Sequence, residues 1–191
     1  YGQVDINLLA WLTGNTALIG AYTFVTSIMN MILTLPMGIN SIFIPQSIRT
    51  YQHDPNKFFL RLRSILIGFF TLGLVCYLAL AIPGTQWMSF FLGQDYQQGF
   101  FLLWLGSPIL FLRTLNQVNH IYLVTTGREI RRLWPQALAV LLKASLGVWV
   151  ILRWQAYGLV LFSILVELFL LSGFSFESIR HYLKIKKWVP A

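Results

Sequence analysis

Hydrophobic residues run along this chain in long blocks separated by short polar connections. The blocks predict a first helix over Tyr1 to about Gly14. Further helices are predicted over about Gly20–Arg49, Arg63–Ile82, Phe100–Val124, Leu133–Leu152 and Ala156–Ser178. Each complete block is near or above the roughly 20 residues that a helix needs to cross a bilayer. Pro36 and Pro45 predict a bend or an early end in the second segment, and Pro83-Gly84 stops the third. Pro135 falls in the first turn of the fifth, where proline is tolerated. Tyr1 begins in mid-segment, so the first block reads as the second part of a spanning helix and the chain as a fragment.

Composition agrees with this pattern. Of the 191 residues, 57% are hydrophobic and 10% charged, with a mean hydropathy of +0.66. A soluble domain carries about 25% charged residues. The fold class expected is therefore all-α and integral to a membrane. Cys76, the one cysteine, lies inside an apolar run, which excludes an intrachain disulfide. No basic start or initiator Met marks a cleavable leader.

Charge placement adds an orientation. Eleven basic residues fall on alternate connections: Arg49, Lys57, Arg61 and Arg63; then Arg128, Arg131 and Arg132; then Arg180, Lys184, Lys186 and Lys187. The first-to-second and third-to-fourth connections carry none, and the fifth-to-sixth only Arg153. The positive-inside rule places the basic connections and the C-terminus in the cytoplasm, with 179–191 as a basic cytoplasmic tail. The net charge of +8 is thus a topology signal beside anionic headgroups, not a nucleic-acid surface. Trp11, Trp87, Trp104, Trp134, Trp154 and Trp188 lie near predicted helix ends, as interfacial tryptophans do.

Four charges fall near the bilayer midplane: Asp5, Arg113, Lys143 and Glu167. Each costs about 2.5–3.5 kcal/mol or more facing lipid, so each should face protein or water. Lys143 lies about eleven residues before the short turn that joins the last two segments, and Glu167 about thirteen after it. Matching depths predict a structural Lys143–Glu167 ion pair, with a lysine exposed to a cavity as the alternative. Arg113 heads a stripe with Asn116, Gln117 and His120 at helical spacing, so one face of the fourth segment is wet or hydrogen-bonded. A water-filled cavity and a buried polar network both fit that stripe. The second segment carries a softer stripe of Thr23, Ser27, Asn30, Thr34, Gly38 and Ser41, a spacing that also serves close helix packing. Asp5 either pairs with Arg113 or joins the same cavity. The substrate-cavity candidates are therefore Asp5, Asn30, Arg113, Asn116, Gln117, His120 and Lys143.

Other chemistry lacks its residues. No HExxH, GxSxG or P-loop motif is present, and no pair of carboxylates has the spacing that binds Mg²⁺. No Gly-rich filter-like segment appears. Neither an enzyme nor an ion channel is expected, nor any metal or cofactor. His53 and His181 sit in polar end regions. His120 reads as a hydrogen-bonding group rather than a ligand.

The order of short motifs resembles the C-terminal half of the polysaccharide-biosynthesis flippases, in the multidrug/oligosaccharidyl-lipid/polysaccharide exporter superfamily. The resembling residues are Val4-Asp5-Ile6 through Trp11 with Gly14, Gly20 and Tyr22; Pro36 and Phe43-Ile44-Pro45; Leu92-Gly93-Gln94-Asp95-Tyr96; Thr126-Gly127-Arg128; and Tyr157-Gly158. The stretch Ala156-Tyr157-Gly158-Leu159-Val160-Leu161 departs from that pattern in lacking a second small residue. The likeness implies a six-helix lobe, its first helix truncated, of a twelve-helix, two-lobe alternating-access transporter. It implies flipping of a polyprenyl-diphosphate-linked oligosaccharide across the inner or plasma membrane, with membrane lipids and a polysaccharide polymerase or glycosyltransferases as partners. In that family the first, second, fourth and fifth helices of a lobe face the cavity, which implies that Arg113 meets the diphosphate while Asn30, Asn116 and Gln117 meet sugar hydroxyls. The alternatives are a cation-coupled drug or metabolite exporter of the same superfamily and a non-transporting scaffold for glycosyltransferases.

Overall fold

A computed structural model describes residues 2–82 and 97–186, and the described part is all helical. The helices are α1 (Gly2–Thr13), α2 (Thr16–His53), α3 (Pro55–Ala81), α4 (Gln97–Thr125) and α5 (Ile130–Lys186). Four of them are long and apolar enough to cross a membrane. The features expected at Pro83-Gly84, Trp87, Leu92 to Tyr96 and in the tail beyond Lys186 lie outside the described residues.

α5 is two arms and not one rod. Gln155 leaves helical geometry at φ 51°, ψ −137°, and the chain folds back there. Cross-arm contacts fix an antiparallel register. Arg131 binds Glu177 at 2.9 Å, Pro135 lies against Gly173, and Lys143 reaches Ser163 at 3.0 Å. At the top of the hairpin, a Cβ on Gly158 would stand 2.9 Å from Val150 Cγ1 and 2.6 Å from Trp154 Cβ. Glycine lets the arms close there without the second small residue that the sequence lacks. The expected fifth and sixth segments are therefore the arms α5a (130–154) and α5b (156–186).

Helix ends follow local chemistry. Asn15 caps α2 by accepting the Leu18 N–H at 3.2 Å. Asp54 alone separates α2 from α3; its carboxylate accepts the Asn56 and Lys57 N–H groups, and Pro55 occupies the first helical position. The Lys57 N–H foremost holds the Asp54 carboxyl below its usual value. α4 ends in a Schellman arrangement: Arg128 N–H donates to Leu123 O at 2.8 Å and Gly127 N–H to Val124 O at 3.1 Å, with Gly127 at φ +67°. The expected boundaries at 49 and 63 are corrected, since the helices extend through the charged stretch to one cap. Arg49, Lys57, Arg61 and Arg63 therefore sit on helical turns. α2 also continues through both Pro36 and Pro45.

α4 is the hub, packed against α2, α3 and α5, while α1 lies against α5 and α2. α2 and α4 run parallel in one constant register: Ala21 faces Gly99, Phe24 faces Phe100, Met29 faces Gly106 and Asn40 bonds Gln117. One apolar cluster fills the Asn15 and Gln155 end, with Leu9, Val25, Leu103, Leu110, Ile151 and Leu159. A second fills the opposite end, with Phe58, Tyr122, Leu123, Val166 and Phe174. That opposite end carries Arg49, Lys57, Arg61, Arg128, Arg131 and Arg132, as expected from the alternation. α3 keeps an exposed apolar face of Leu66, Ile67, Phe70, Leu74 and Val75, which suits lipid. Trp11, Trp104, Trp134 and Trp154 are exposed at or near helix ends, where interfacial tryptophans belong.

Gly158→Ala should destabilise the protein by about 1–3 kcal/mol, because the added methyl has no room beside Val150. Gly38→Ala, where the surrounding space is open, should not. Thermal unfolding in detergent checks the pair, and equal melting of the two variants would contradict the close approach of the arms.

Candidate functional site

Between the two apolar clusters lies a layer of polar side chains. Its first level joins four elements. Lys143 on α5a places Nζ 2.5 Å from Asp5 Oδ2 on α1. The same oxygen accepts the Tyr22 hydroxyl of α2 at 3.3 Å and the Ser163 hydroxyl of α5b at 3.4 Å. Asp5 and Lys143 are 3% and 1% exposed, so each charge is out of water and depends on the other.

One helical turn along α5b from Ser163 stands the second level. Arg113 Nε donates to Glu167 Oε1 at 2.7 Å, with the arginine side chain 24% exposed and the glutamate 2%. The expected Lys143–Glu167 pair is corrected. The hairpin register sets Lys143 opposite Ser163 and leaves Glu167 a turn nearer the basic end, level with Arg113 on α4. α1 supplies the lysine's carboxylate. Asp5 accordingly pairs with Lys143 and not with Arg113.

The third level lies in the α2–α4 seam. Asn40 Nδ2 donates to Gln117 Oε1 at 2.8 Å and stands 3.1 Å from His120 Nδ1, which acts as the acceptor. The second and third levels follow each other about a turn apart along α4, from Arg113 to Gln117 and His120, toward the basic end.

A cavity of about 570 Å³ opens beside the three levels. Of the candidates from sequence, Asp5, Asn30, Arg113, Asn116 and Gln117 line it. Lys143 does not: it is sealed behind Asp5 and Ser163, which corrects its placing as a cavity residue. His120 is likewise absent from the lining and is held by Asn40 in the seam. The stripe on α4 thus lines the cavity at Arg113, Asn116 and Gln117 and joins a hydrogen-bonded network at Gln117 and His120.

Thr26, Arg132, Gln136, Ser163 and Glu167 also line the cavity, and sequence reasoning had assigned none of them to it. A signal was present. Arg132, Gln136 and Lys143 recur at helical spacing on α5a, and Ser163 lies four residues from Glu167 on α5b. The stripe on α2 behaves differently from a packing face. Thr23, Ser27, Asn30, Thr34, Gly38 and Ser41 are all exposed, and nothing in the described chain covers them. Thr34 and Ser41 satisfy their hydroxyls on their own helix, at 2.6 and 2.7 Å.

Chemically, the cavity presents guanidinium and amide donors together with acceptors that have no protein partner. Asp5 Oδ1 and Asn116 Oδ1 are both buried without a hydrogen bond. Such oxygens call for donors from water or a ligand. Asp5 and Lys143 compensate each other, as do Glu167 and Arg113. Among the described residues, no three His, Cys, Asp or Glu side chains gather in a way that would hold a metal ion. Comparison with protein-family models, curated proteins and solved structures finds no match for the chain.

Lys143→Met should cost about 3–5 kcal/mol, because it leaves Asp5 charged, buried and uncompensated. Adding Asp5→Asn should restore most of that loss. Thermal unfolding of the single and double variants decides this; a single variant as stable as the wild type would rule out a charged Asp5 in the fold.

Proposed function

We propose that this chain forms a six-helix lobe of a two-lobe transporter that passes a polyprenyl-diphosphate-linked oligosaccharide across the cell membrane, with the basic end cytoplasmic. The observation that carries the reading is the polar cavity at the level of the paired charges in an otherwise apolar bundle. Packing alone does not need such a space, since unfilled polar cavities at membrane depth are costly.

The mechanism follows from the lining. A diphosphate brings negative charge and many acceptor oxygens. Arg113 can meet it as a planar fork of donors while its Nε remains on Glu167. Holding the arginine through Glu167 fixes the direction of the fork and keeps the empty site near neutrality, so the cavity does not trap an anion permanently. Asn30, Asn116 and Gln117 offer amide groups that both donate and accept, as sugar hydroxyls do. The uncovered polar face of α2 supplies a second wetted wall for a second lobe to face. The lipid tail stays in the bilayer, outside the cavity.

A cation-coupled exporter draws on one specific feature, the unpartnered Asp5 Oδ1 in the lining. Lys143 already neutralises that carboxylate, and Arg113 and Arg132 share the space, which favours an anionic substrate. The scaffold alternative needs no wet interior. A cysteine at position 116 should react with a water-soluble thiol reagent in intact membranes, and an inert one would favour the scaffold. Cys76 is replaced in the same background to leave a single thiol.

Deletion and restoration of the intact gene, with measurement of which leaflet holds the lipid-linked oligosaccharide, tests the function itself. Accumulation on the cytoplasmic face that clears on restoration supports flipping; unchanged sidedness, without a redundant transporter, overturns it. Arg113→Lys should cut transport at least about tenfold while protein level stays close to wild type, since the ammonium still answers Glu167 but lacks the fork. A parallel fall in protein and transport would make Arg113 structural instead.

A further inference from the structure

The α5 hairpin carries a second cavity, a groove of about 410 Å³ between its two arms. Leu146, Trp149 and Trp154 line it from α5a, and Gly158, Leu161 and Leu165 from α5b. All of these but Gly158 are exposed, and every residue of the lining is apolar or aromatic apart from that glycine. The groove begins beside the turn at Gln155, where Gly158 lets the arms close. From Gly158 to Leu165 it follows seven residues of α5b, about 10 Å of helix rise. Its lining shares no residue with the polar cavity.

One charge stands at its rim. The guanidinium carbon of Arg153 lies 5.9 Å from the centroid of the Trp149 ring, and Trp149 meets Trp154 edge-on at 5.4 Å. Arg153 is exposed and is the one charged residue between Lys143 and Glu167. Among the described residues no ion pair or hydrogen bond engages it. The bias that orients membrane proteins gathers arginine at the opposite end of this bundle, so Arg153 marks no topology and calls for another reason.

We propose that this groove binds a phospholipid with a net negative headgroup, drawn from the leaflet at the Gln155 end. Arg153 meets the phosphate, and one acyl chain lies between the arms. Two features select this occupant together. An apolar furrow on a lipid-facing surface takes hydrocarbon, and a cation without a carboxylate beside it takes an anion. A guanidinium engages phosphate as a fork of donors. The order of polarity matches a leaflet: Arg153 sits at the turn with two indoles beside it, while Leu146 and Leu165 lie deeper along the arms. Tryptophan at that depth keeps its ring in hydrocarbon and its N–H toward the headgroups. The site is separate from the polar cavity, so its failure would leave the transport reading untouched.

The test uses the full-length protein in mild detergent, titrated with phosphatidylglycerol or phosphatidylcholine of the same chains. Native mass spectrometry counts the lipids bound, and glycerol 3-phosphate serves as an anion without a tail. Phosphatidylglycerol should bind the wild type about fivefold more tightly than phosphatidylcholine, as one arginine near an anionic headgroup provides. Arg153→Gln should bring the two lipids to equal affinity, and Arg153→Lys should keep most of the difference. Leu161→Trp, which fills the groove from an exposed position, should weaken both lipids about tenfold. Leu165→Trp carries that arm if the first variant fails to fold. Wild-type lipid binding with the groove filled would overturn the site. A preference for phosphatidylglycerol that survives Arg153→Gln would overturn the headgroup assignment. Glycerol 3-phosphate binding as tightly as phosphatidylglycerol would overturn the lipid in favour of a soluble anion.

Discussion

Moving a carboxylate and an ammonium into a low-dielectric interior is tolerable only when each answers the other, and Asp5 with Lys143 is where this bundle meets that demand. The pair does more than cancel charge. The apolar side chains of α1 alone would let it slide along lipid-facing neighbours. Asp5 Oδ2 gathers donors from α2, α5a and α5b at one point, so the position of α1 is set by direction and distance and not by hydrophobicity. In a membrane, where apolar helix faces and lipid tails are nearly interchangeable, polar contacts of this kind carry much of the positional information. The cavity wall is therefore built on that lock, since Asp5 lines the cavity while its Oδ2 gathers the helices and its buried Oδ1 has no hydrogen-bond partner in the protein.

The remaining polar levels follow from it. With Lys143 committed to Asp5, Glu167 needs another cation, and α4 presents Arg113 at that height. The neutrality of each pair explains how four charges survive at membrane depth without a strong field in the empty cavity. It also explains the asymmetry of exposure. Glu167 is sealed, while Arg113 keeps about a quarter of its side chain open. The arginine is thus held by Glu167 at its Nε while part of its side chain lines the cavity.

Much of this was legible in the chain itself. The apolar blocks gave the helices, the alternation of basic residues put the charged ends together, and the short turn at Arg153 to Ala156 gave the hairpin. The stripe from Arg113 to Gln117 found the cavity wall. What failed was finer than an element. Depth counted from a turn is good to about one helical turn, and that error was enough to assign Glu167 to Lys143. Ser163 and Tyr22 were not assigned to the site, because a single hydroxyl in an apolar run shows its partner only once the helices are placed side by side. The boundaries at 49 and 63 were misplaced because charge was read as loop, whereas Asp54 and Pro55 give a one-residue cap that lets charged helices meet outside the apolar layer. Arg132 was read with the loop charges for the same reason, and only its spacing from Gln136 on α5a marked it as part of the cavity lining.

The uncovered face of α2 extends the argument to what the chain lacks. Six small or polar residues, from Thr23 to Ser41, lie in one line with no neighbour, while the apolar residues Met31, Leu35 and Ile42 are exposed beside them. A helix left with such a face against lipid would gain little, because its hydroxyls can satisfy themselves locally but Asn30 cannot. The face therefore requires water or another polar surface. Since Asn30 belongs to both the stripe and the cavity lining, the two are continuous, and the cavity is one side of a larger polar space. On the proposed function, a second wall across from α2 would close that space around the substrate headgroup. Opening and closing that wall would then alternate access without disturbing the Asp5–Lys143 lock that keeps this half of the site in shape.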